Sequence, residues 1–135
     1  MRSTPKSRNG GFTLIEMVVV IALVLVLLSI ALPMYNQSIL RAKEARLHSD
    51  LVTLNKVIQE YTLDKKSAPQ SLDDLVQAGY LKFIPADITG VTDTWVTEPE
   101  DPQNAVDTNQ PGIASVHSGS NQPSSDGTPY SSWVK

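Results

Sequence analysis

One acidic residue stands at the start of a long apolar run near the beginning of the chain, and its position indicates chemistry. Residues 17 to 32, which follow Glu16, are apolar apart from Ser29. A charge at the centre of a bilayer costs about 2.5 to 3.5 kcal/mol on insertion scales, so a buried carboxylate needs a partner. The alternative is that Glu16 sits at the headgroup level, where ionisation costs little. The residues alone leave both alternatives open.

The peptide bond between Gly11 and Phe12 is a second place where residue types suit a reaction. A protease must approach an extended backbone closely, and glycine lacks the side chain that would obstruct it. The charges before this bond are all basic: Arg2, Lys6 and Arg8. They predict that this end of the chain stays in the cytoplasm. Loss of residues 1 to 11 would change the net side-chain charge from −3 to about −6.

The apolar run is long enough to cross a membrane. Residues 12 to 32 form a stretch that, as a helix, spans about 30 Å of hydrocarbon. An ordinary secretory signal usually has a shorter apolar region that ends in a small-residue cleavage site, whereas Pro33 follows here. Because proline lacks a backbone donor, we expect a helix kink at Pro33. We therefore predict a transmembrane helix over residues 12 to 33 that continues beyond the proline.

Residues 34 to 65 have the period of an amphipathic helix. The apolar stripe consists of Leu40, Leu47, Leu51, Leu54, Ile58 and Tyr61. The polar face consists of Arg41, Lys43, Glu44, Arg46, Asp50, Asn55, Lys56, Gln59 and Glu60. The heptad pattern is too short for a coiled coil, so we expect the stripe to pack on the protein's own small domain.

Residues 66 to 135 predict a small α+β domain. Ser71 is expected to cap a short helix over residues 71 to 78, which Gly79 ends in a left-handed conformation. Strands are expected over residues 80 to 84, 93 to 97 and 112 to 117, in a small antiparallel sheet. The remaining loops should be ordered, because they carry the anchors Trp95, Ile113, Val116, Tyr130 and Trp133.

Composition excludes several classes of function. The region beyond Lys82 is acidic, which argues against binding of nucleic acid. No cysteine, phosphate-binding loop or nucleophile elbow is present, so the chain is not expected to be an enzyme. His48 and His117 lack partners at ligand spacing and are expected to be exposed. Asp73 and Asp74 are expected to serve a helix N-terminus.

The segment from Gly11 to Glu16 (Gly-Phe-Thr-Leu-Ile-Glu), between a basic leader and an apolar helix, resembles the processing site of type IV pilins and type II secretion pseudopilins. The resemblance implies the type IV pilin-like fold. It also implies that a prepilin peptidase cuts between Gly11 and Phe12 and methylates the new amine of Phe12. Glu16 would then pair with the Phe12 amine of a neighbouring subunit. The filament that results would be a homopolymer built on packed apolar helices.

Distal features are similar to the G-type major pseudopilins. They are residues 59 to 64, residues 68 to 75, Gly79-Tyr80-Leu81, Ile84-Pro85, the tail from Gly112 to Val116, and the absence of cysteine. That group's C-terminal calcium loop would place Ser118, Asn121, Ser125 and Asp126 as ligands. The loop departs from the family's acidic run, and Asp126-Gly127 equally predicts a bare turn. Asp93-Thr94-Trp95-Val96 also departs from the family pattern.

The resemblance implies a structural subunit of a type II secretion pseudopilus. It would lie in the bacterial inner membrane with a cytoplasmic N-terminus and a periplasmic domain. Its partners would be the prepilin peptidase, an assembly ATPase, inner-membrane platform proteins and minor pseudopilins. The alternatives are a type IV pilin of a surface pilus, used for adhesion, motility or DNA uptake, and a singly anchored periplasmic binding module or enzyme.

Overall fold

The computed structural model describes residues 10 to 107 and 109 to 133, so most of the predicted leader lies outside the described residues. Its elements are α1 (Leu14–Lys65), α2 (Leu72–Gln77), β1 (Trp95–Pro99), β2 (Ile113–Ser118) and a 3₁₀ turn (Tyr130–Ser132). The architecture is α+β, as predicted: a long N-terminal helix, a short helix and a small antiparallel sheet. This is the type IV pilin-like arrangement that the resemblance implied.

Local signals set both ends of α1. Thr13 caps its start, because the Thr13 hydroxyl accepts a hydrogen bond from the Glu16 amide at 3.3 Å. The helix continues through Pro33 and ends at Lys65. Lys66 follows with a φ of 57°, in the left-handed region that terminates helices. Whether Pro33 bends the helix stays a prediction.

The described chain divides into two compact units, the first ending at Ser38 and the second beginning at Ile39. In the first unit, the described apolar side chains from Phe12 to Met34 are exposed. Among the described residues, α1 is the one helix whose length and composition allow it to cross a membrane. Such a surface needs lipid or other apolar helices around it.

The second unit has its own hydrophobic core. Four members of the predicted stripe and Val57 form the α1 side of it; the four are Leu47, Leu51, Leu54 and Ile58. Facing them are Leu72, Leu75, Trp95, Ile113, Val116 and Tyr130. Leu40 is exposed, so the stripe is confirmed from Leu47 to Tyr61, and Tyr61 is half-buried and packed against the edge of the core. The predicted anchors are confirmed as well, with Trp133 packed against the edge of the core.

The short helix α2 is built as expected from its caps. The Ser71 hydroxyl accepts from the Asp74 amide, and the Asp74 carboxylate accepts from the Ser71 amide in return. Gly79 follows with a φ of 82°. The strand expected over residues 80 to 84 is wrong, because the amides of Tyr80 and Leu81 both bond to the Leu75 carbonyl and leave no ladder to form.

The sheet has two antiparallel strands, with Trp95 opposite Ser118 and Thr97 opposite Val116. The first strand begins two residues later than predicted, because residues 93 and 94 form a turn. A register shift falls between Glu98 and Pro99, where proline lacks the amide that a regular ladder needs.

Candidate functional site

The processing segment is open and accessible in this structure. Gly10, Gly11 and Phe12 precede the helix without regular secondary structure, and all three are exposed. No described atom lies within 4 Å of the point where a side chain on Gly11 would begin. A peptidase that cut the Gly11–Phe12 bond would therefore meet no side chain on the Gly11 side. Cleavage there and methylation of Phe12 stay predictions.

Glu16 lies in the first turn of α1 and is exposed in the isolated subunit. The positive end of the helix dipole lies at this turn, where acidic residues commonly stabilise a helix. Thr13 holds the Glu16 amide at 3.3 Å, a contact that the sequence reasoning missed. The Thr-x-x-Glu spacing is a capping-box pattern and could have revealed it. Pairing of Glu16 with a neighbouring amine stays a prediction.

A buried carboxylate joins the C-terminal loop to α1. The Ser125 amide and hydroxyl each donate to the carboxylate of Glu44 at 2.6 Å, and the Tyr130 hydroxyl donates to it at 3.0 Å. Glu44 is only 7% exposed, although the sequence predicted it on the polar face. That prediction is wrong because loop donors more than 80 residues away satisfy the carboxylate. We call this cluster of Glu44, Ser125 and Tyr130 the carboxylate latch.

The latch shifts the ionisation of its members. Burial acts to raise the pKa of Glu44, but the hydrogen bonds from Ser125 and Tyr130 together outweigh it and leave the pKa below its ordinary value. For Tyr130, burial and the hydrogen bond to Glu44 raise the pKa to about 12. At neutral pH the latch is therefore an ionised carboxylate held by neutral hydroxyl and amide donors.

Asn55 ties β2 to α1 in a similar way. Its Nδ2 donates to the Val116 carbonyl at 3.1 Å, and its Oδ1 accepts from the Val116 amide at 2.8 Å. The sequence predicted Asn55 on the polar face, whereas it is 6% exposed. The error arose because helical periodicity assigns a residue to a face by its polarity alone. It carries no information about the Val116 amide and carbonyl, which need an acceptor and a donor in the folded protein.

Asp87 is a further buried carboxylate that the sequence reasoning missed. It accepts hydrogen bonds from the Thr94 hydroxyl at 2.8 Å, the Ser118 hydroxyl at 2.7 Å and the Ile88 amide at 2.7 Å. These contacts tie the connection before β1 to the end of β2. No local pattern could have revealed it, since Ser118 is 31 residues away in sequence.

The four predicted calcium ligands use their side-chain oxygens in separate contacts. Ser118 donates to Asp87, Asn121 accepts from Ser131, Ser125 donates to Glu44, and Asp126 accepts from Ser124. Within the described part of the chain, no group of three or more acidic or histidine side chains could hold a metal. This arrangement does not fit an open shell of oxygen ligands. Of the two alternatives for this loop, calcium site and bare turn, these contacts favour the bare turn.

The two histidines differ in their exposure. His48 is exposed, as expected. His117 lies on β2 and is half-buried, so the expectation of exposure is wrong for it. Its Nε2 lies 3.5 Å from a Glu98 oxygen on the neighbouring strand, and its Nδ1 lies 2.9 Å from the Ser118 carbonyl. These contacts are those of a structural histidine at a sheet edge.

Asp74 serves the helix start, as expected. Burial acts to raise its pKa, but hydrogen bonds from the amides of Ser71 and Gln70 and from the Ser71 hydroxyl leave the pKa lowered. Its oxygens are thereby committed to the capping box.

Comparison with known proteins identifies the family. Residues 6–32 match the family described as the prokaryotic N-terminal methylation motif. The type II secretion system core protein G of Escherichia coli strain K12 is 36% identical over 106 residues, which cover 67% of this chain and 72% of that protein. The chain belongs to the G-type pseudopilin family of type II secretion. Relatives of this pseudopilin are structural subunits.

Two other relatives carry different names. The type IV major fimbrial protein FimA of Dichelobacter nodosus is 38% identical to the pseudopilin over 63 residues, 47% of this chain and 40% of that protein. The competence protein ComGC of Halalkalibacterium halodurans is 30% identical over 78 residues, 58% of this chain and 76% of that protein. No solved structure matches the pseudopilin. Its prepilin motif and single apolar helix are those of a membrane-anchored, pilin-like protein.

Proposed function

We propose that this pseudopilin is the major subunit of a type II secretion pseudopilus. A prepilin peptidase cuts it between Gly11 and Phe12 and methylates the new amine, and the product polymerises by its apolar helix. The observation that carries the proposal is the exposed apolar surface from Phe12 to Met34, directly after an open Gly-Phe bond. Once this segment leaves the lipid, only other apolar helices can cover it.

Glu16 directs that packing. The amine that cleavage creates on Phe12 carries a positive charge, and Glu16 is the acidic residue of the first helical turn. In a bundle of apolar helices, pairing of these two charges between neighbours removes the cost of burying either one. A copy in the wrong register leaves a charge unpaired.

The orientation follows from the leader. Its three basic residues hold the N-terminus in the cytoplasm, so the second unit lies in the periplasm. The relatives of this chain are structural subunits, and the role proposed here is likewise structural. An assembly ATPase, platform proteins of the inner membrane and minor pseudopilins are the partners that this role requires.

Processing is tested by mass spectrometry of the purified protein from cells with active prepilin peptidase. The unaltered chain is expected to begin at Phe12 with one added methyl group. Gly11→Val should leave the chain beginning at Met1, because its side chain obstructs the scissile bond. The matched control is Gly10→Val, which should still begin at Phe12. An unaltered product that begins at Met1 would refute the proposal.

Assembly is tested by electron microscopy of sheared filaments. Glu16→Leu should be processed normally but yield no filaments. Ser29→Leu is the matched control, because Ser29 is polar, lies in the same span and donates to the Val26 carbonyl of its own helix at 2.7 Å. If Glu16→Leu assembled as well as Ser29→Leu, the pairing role would be wrong.

A surface type IV pilus is the alternative. The match to FimA reaches only 40% of that protein and favours it less, whereas ComGC is covered over 76% of its length. The two functions differ in their machinery: a pseudopilus requires an outer-membrane secretin and other pseudopilins, and a dynamic pilus a retraction ATPase. Deleting the gene should abolish export of folded proteins in the first case. Loss of motility or DNA uptake with export intact would favour the alternative.

A further inference from the structure

Three exposed cations lie close together on α1 in the second unit. We call Arg41, Lys43 and Arg46 the basic collar, and these three residues fall within six consecutive positions. Arg46 forms a salt bridge to Asp50 at 3.4 Å with its side chain 64% exposed. Among the described residues, no salt bridge includes Arg41 or Lys43. Glu44, the acidic residue between Lys43 and Arg46, is turned inward to the latch.

The groups nearest the collar are already committed. Lys43 and Arg46 line a shallow groove beside residues 86 to 90. The acidic residue of that groove, Asp87, is 4% exposed and accepts from Thr94, Ser118 and Ile88. The collar therefore presents positive charge to solvent.

The opposite charge is gathered on the connection around the end of β1. The acidic loop, as we name it, contains Glu98, Glu100, Asp101 and Asp107. Within the described residues, its one close contact with a basic side chain joins Glu98 to His117 at 3.5 Å. The sequence has no lysine or arginine between Lys82 and Lys135. The acidic loop thus carries a surplus of negative charge.

The two patches are too far apart to neutralise each other within one subunit. Glu100 lines a groove with Ile58 and Thr62, which places the acidic loop level with that part of α1. About 17 residues of helix, or about 25 Å of axial rise, separate this level from the collar. At physiological ionic strength charges are screened over about 8 Å.

An open filament needs two different surfaces on each subunit that fit one another. Burial of apolar helices is non-directional and does not choose between axial positions, whereas charge complementarity fixes register and opposes wrong contacts. We propose that the basic collar of one copy docks on the acidic loop of a second copy, displaced by about 25 Å along α1. This rests on the proposed filament. The copy that docks here is a different neighbour from the one whose Phe12 amine pairs with Glu16. Phe12 and Glu16 are only four residues apart, so that pairing needs a much smaller displacement along the helix.

Cysteine cross-linking tests the contact directly, because the natural chain contains no cysteine. The full chain carrying both Lys43→Cys and Asp101→Cys, assembled by its own secretion machinery and oxidised, should give a ladder of disulfide-linked multimers. A disulfide within one chain is excluded, since it requires Cα atoms within about 7 Å. The matched control pairs Lys43→Cys with Asp73→Cys, an exposed acidic position on α2, and should give no ladder.

Charge exchange tests whether the contact is electrostatic. Arg41→Glu with Lys43→Glu should lower filament yield at least about tenfold. Adding Glu100→Lys and Asp101→Lys in the same chain should restore it. Thermal unfolding followed by tryptophan fluorescence should be unchanged in each variant, which separates docking from folding.

Each other outcome overturns the proposal. Filaments without the Lys43 to Asp101 ladder would show that these patches do not meet. A further outcome concerns binding to vesicles of anionic lipid. If Arg41→Glu with Lys43→Glu released the chain from these vesicles, and adding Glu100→Lys and Asp101→Lys did not restore filaments, the collar would bind lipid headgroups instead. If the unaltered chain formed no filaments at all, the proposed function would fail first, which the absence of polymer in every variant would reveal.

Discussion

The Glu44 carboxylate accepts a hydrogen bond from the Ser125 backbone amide at 2.6 Å, and the two residues are 81 positions apart in sequence. This contact fastens the C-terminal loop to the α1 helix that carries the membrane segment. The loop has little regular structure of its own beyond an isolated bridge between Pro123 and Pro129 and the turn Tyr130–Ser132. In a protein without disulfides, a buried carboxylate with three donors supplies the tie that a cross-link provides elsewhere.

Glu44→Gln should destabilise the second unit by about 1 to 3 kcal/mol, because the amide group turns a donor toward the donors of Ser125 and Tyr130. The measurement is urea unfolding of the full chain in detergent micelles, followed by fluorescence of Trp95 and Trp133. The matched control is Glu60→Gln on the same helix. Glu60 is 51% exposed in its pair with Lys56, so its loss should change stability by less than about 0.5 kcal/mol. Equal effects would mean that the latch contributes nothing.

Stability should fall in acid. The folded-state pKa values of Glu44 and Asp74 lie below their ordinary values of about 4.3 and 3.9. Their stabilising contributions are therefore complete above those ordinary values and are lost as the pH falls through them toward the folded pKa. Urea midpoints measured between pH 3 and pH 7 should drop below about pH 4.5. In Glu44→Gln this drop should be shallower, and an unchanged profile would contradict the assignment.

Stability should also fall in strong alkali. Tyr130 has its pKa raised to about 12, above the ordinary value of about 10. Its contribution is complete below the ordinary value and is lost as the pH rises through the folded value. Fluorescence-detected melts between pH 9 and pH 12 should show the decline. Tyr130→Phe should flatten it, whereas Tyr35→Phe, at an exposed tyrosine of α1, should not.

Asn55→Leu should destabilise the second unit by about 2 to 4 kcal/mol, because the amide and carbonyl of Val116 would both lose their side-chain partner in a buried site. Hydrogen exchange of the Val116 amide should accelerate in step. The control is Gln59→Leu, one turn further along α1 at an exposed position. If the two substitutions had equal effects, the hydrogen bonds between Asn55 and the Val116 backbone would not contribute to stability.

Calcium has a direct thermal test. The predicted ligands are engaged in separate hydrogen bonds, so the melting temperature should be the same within about 1 °C in calcium and in chelator. A rise in calcium that Asp126→Ala removes would instead establish a metal site in this loop. The control is Asp107→Ala, because Asp107 is a half-exposed carboxylate of a different loop.

Local sequence signals were sufficient to predict the structure wherever the stabilising contacts are made by residues close in sequence. The cap at Ser71 and the left-handed turn at Gly79 follow from residues within one helical turn. The strand expected after Tyr80 failed because the end of α2 captured its amides. The first strand moved by two residues because residues 93 and 94 were drawn into the turn beside Asp87. In both cases contacts outside the segment overrode its own preference.

The sequence by itself determined the long helix, its apolar half, the Gly11–Phe12 motif and the family. These depend on composition and spacing along a continuous stretch of chain. Only the tertiary structure decided the fate of the polar residues Glu44, Asn55 and Asp87, which periodicity assigns to solvent or leaves unassigned. Each is buried because a distant backbone or hydroxyl group completes its hydrogen bonds. Such pairs form between elements brought together by folding, and no spacing in the sequence encodes them.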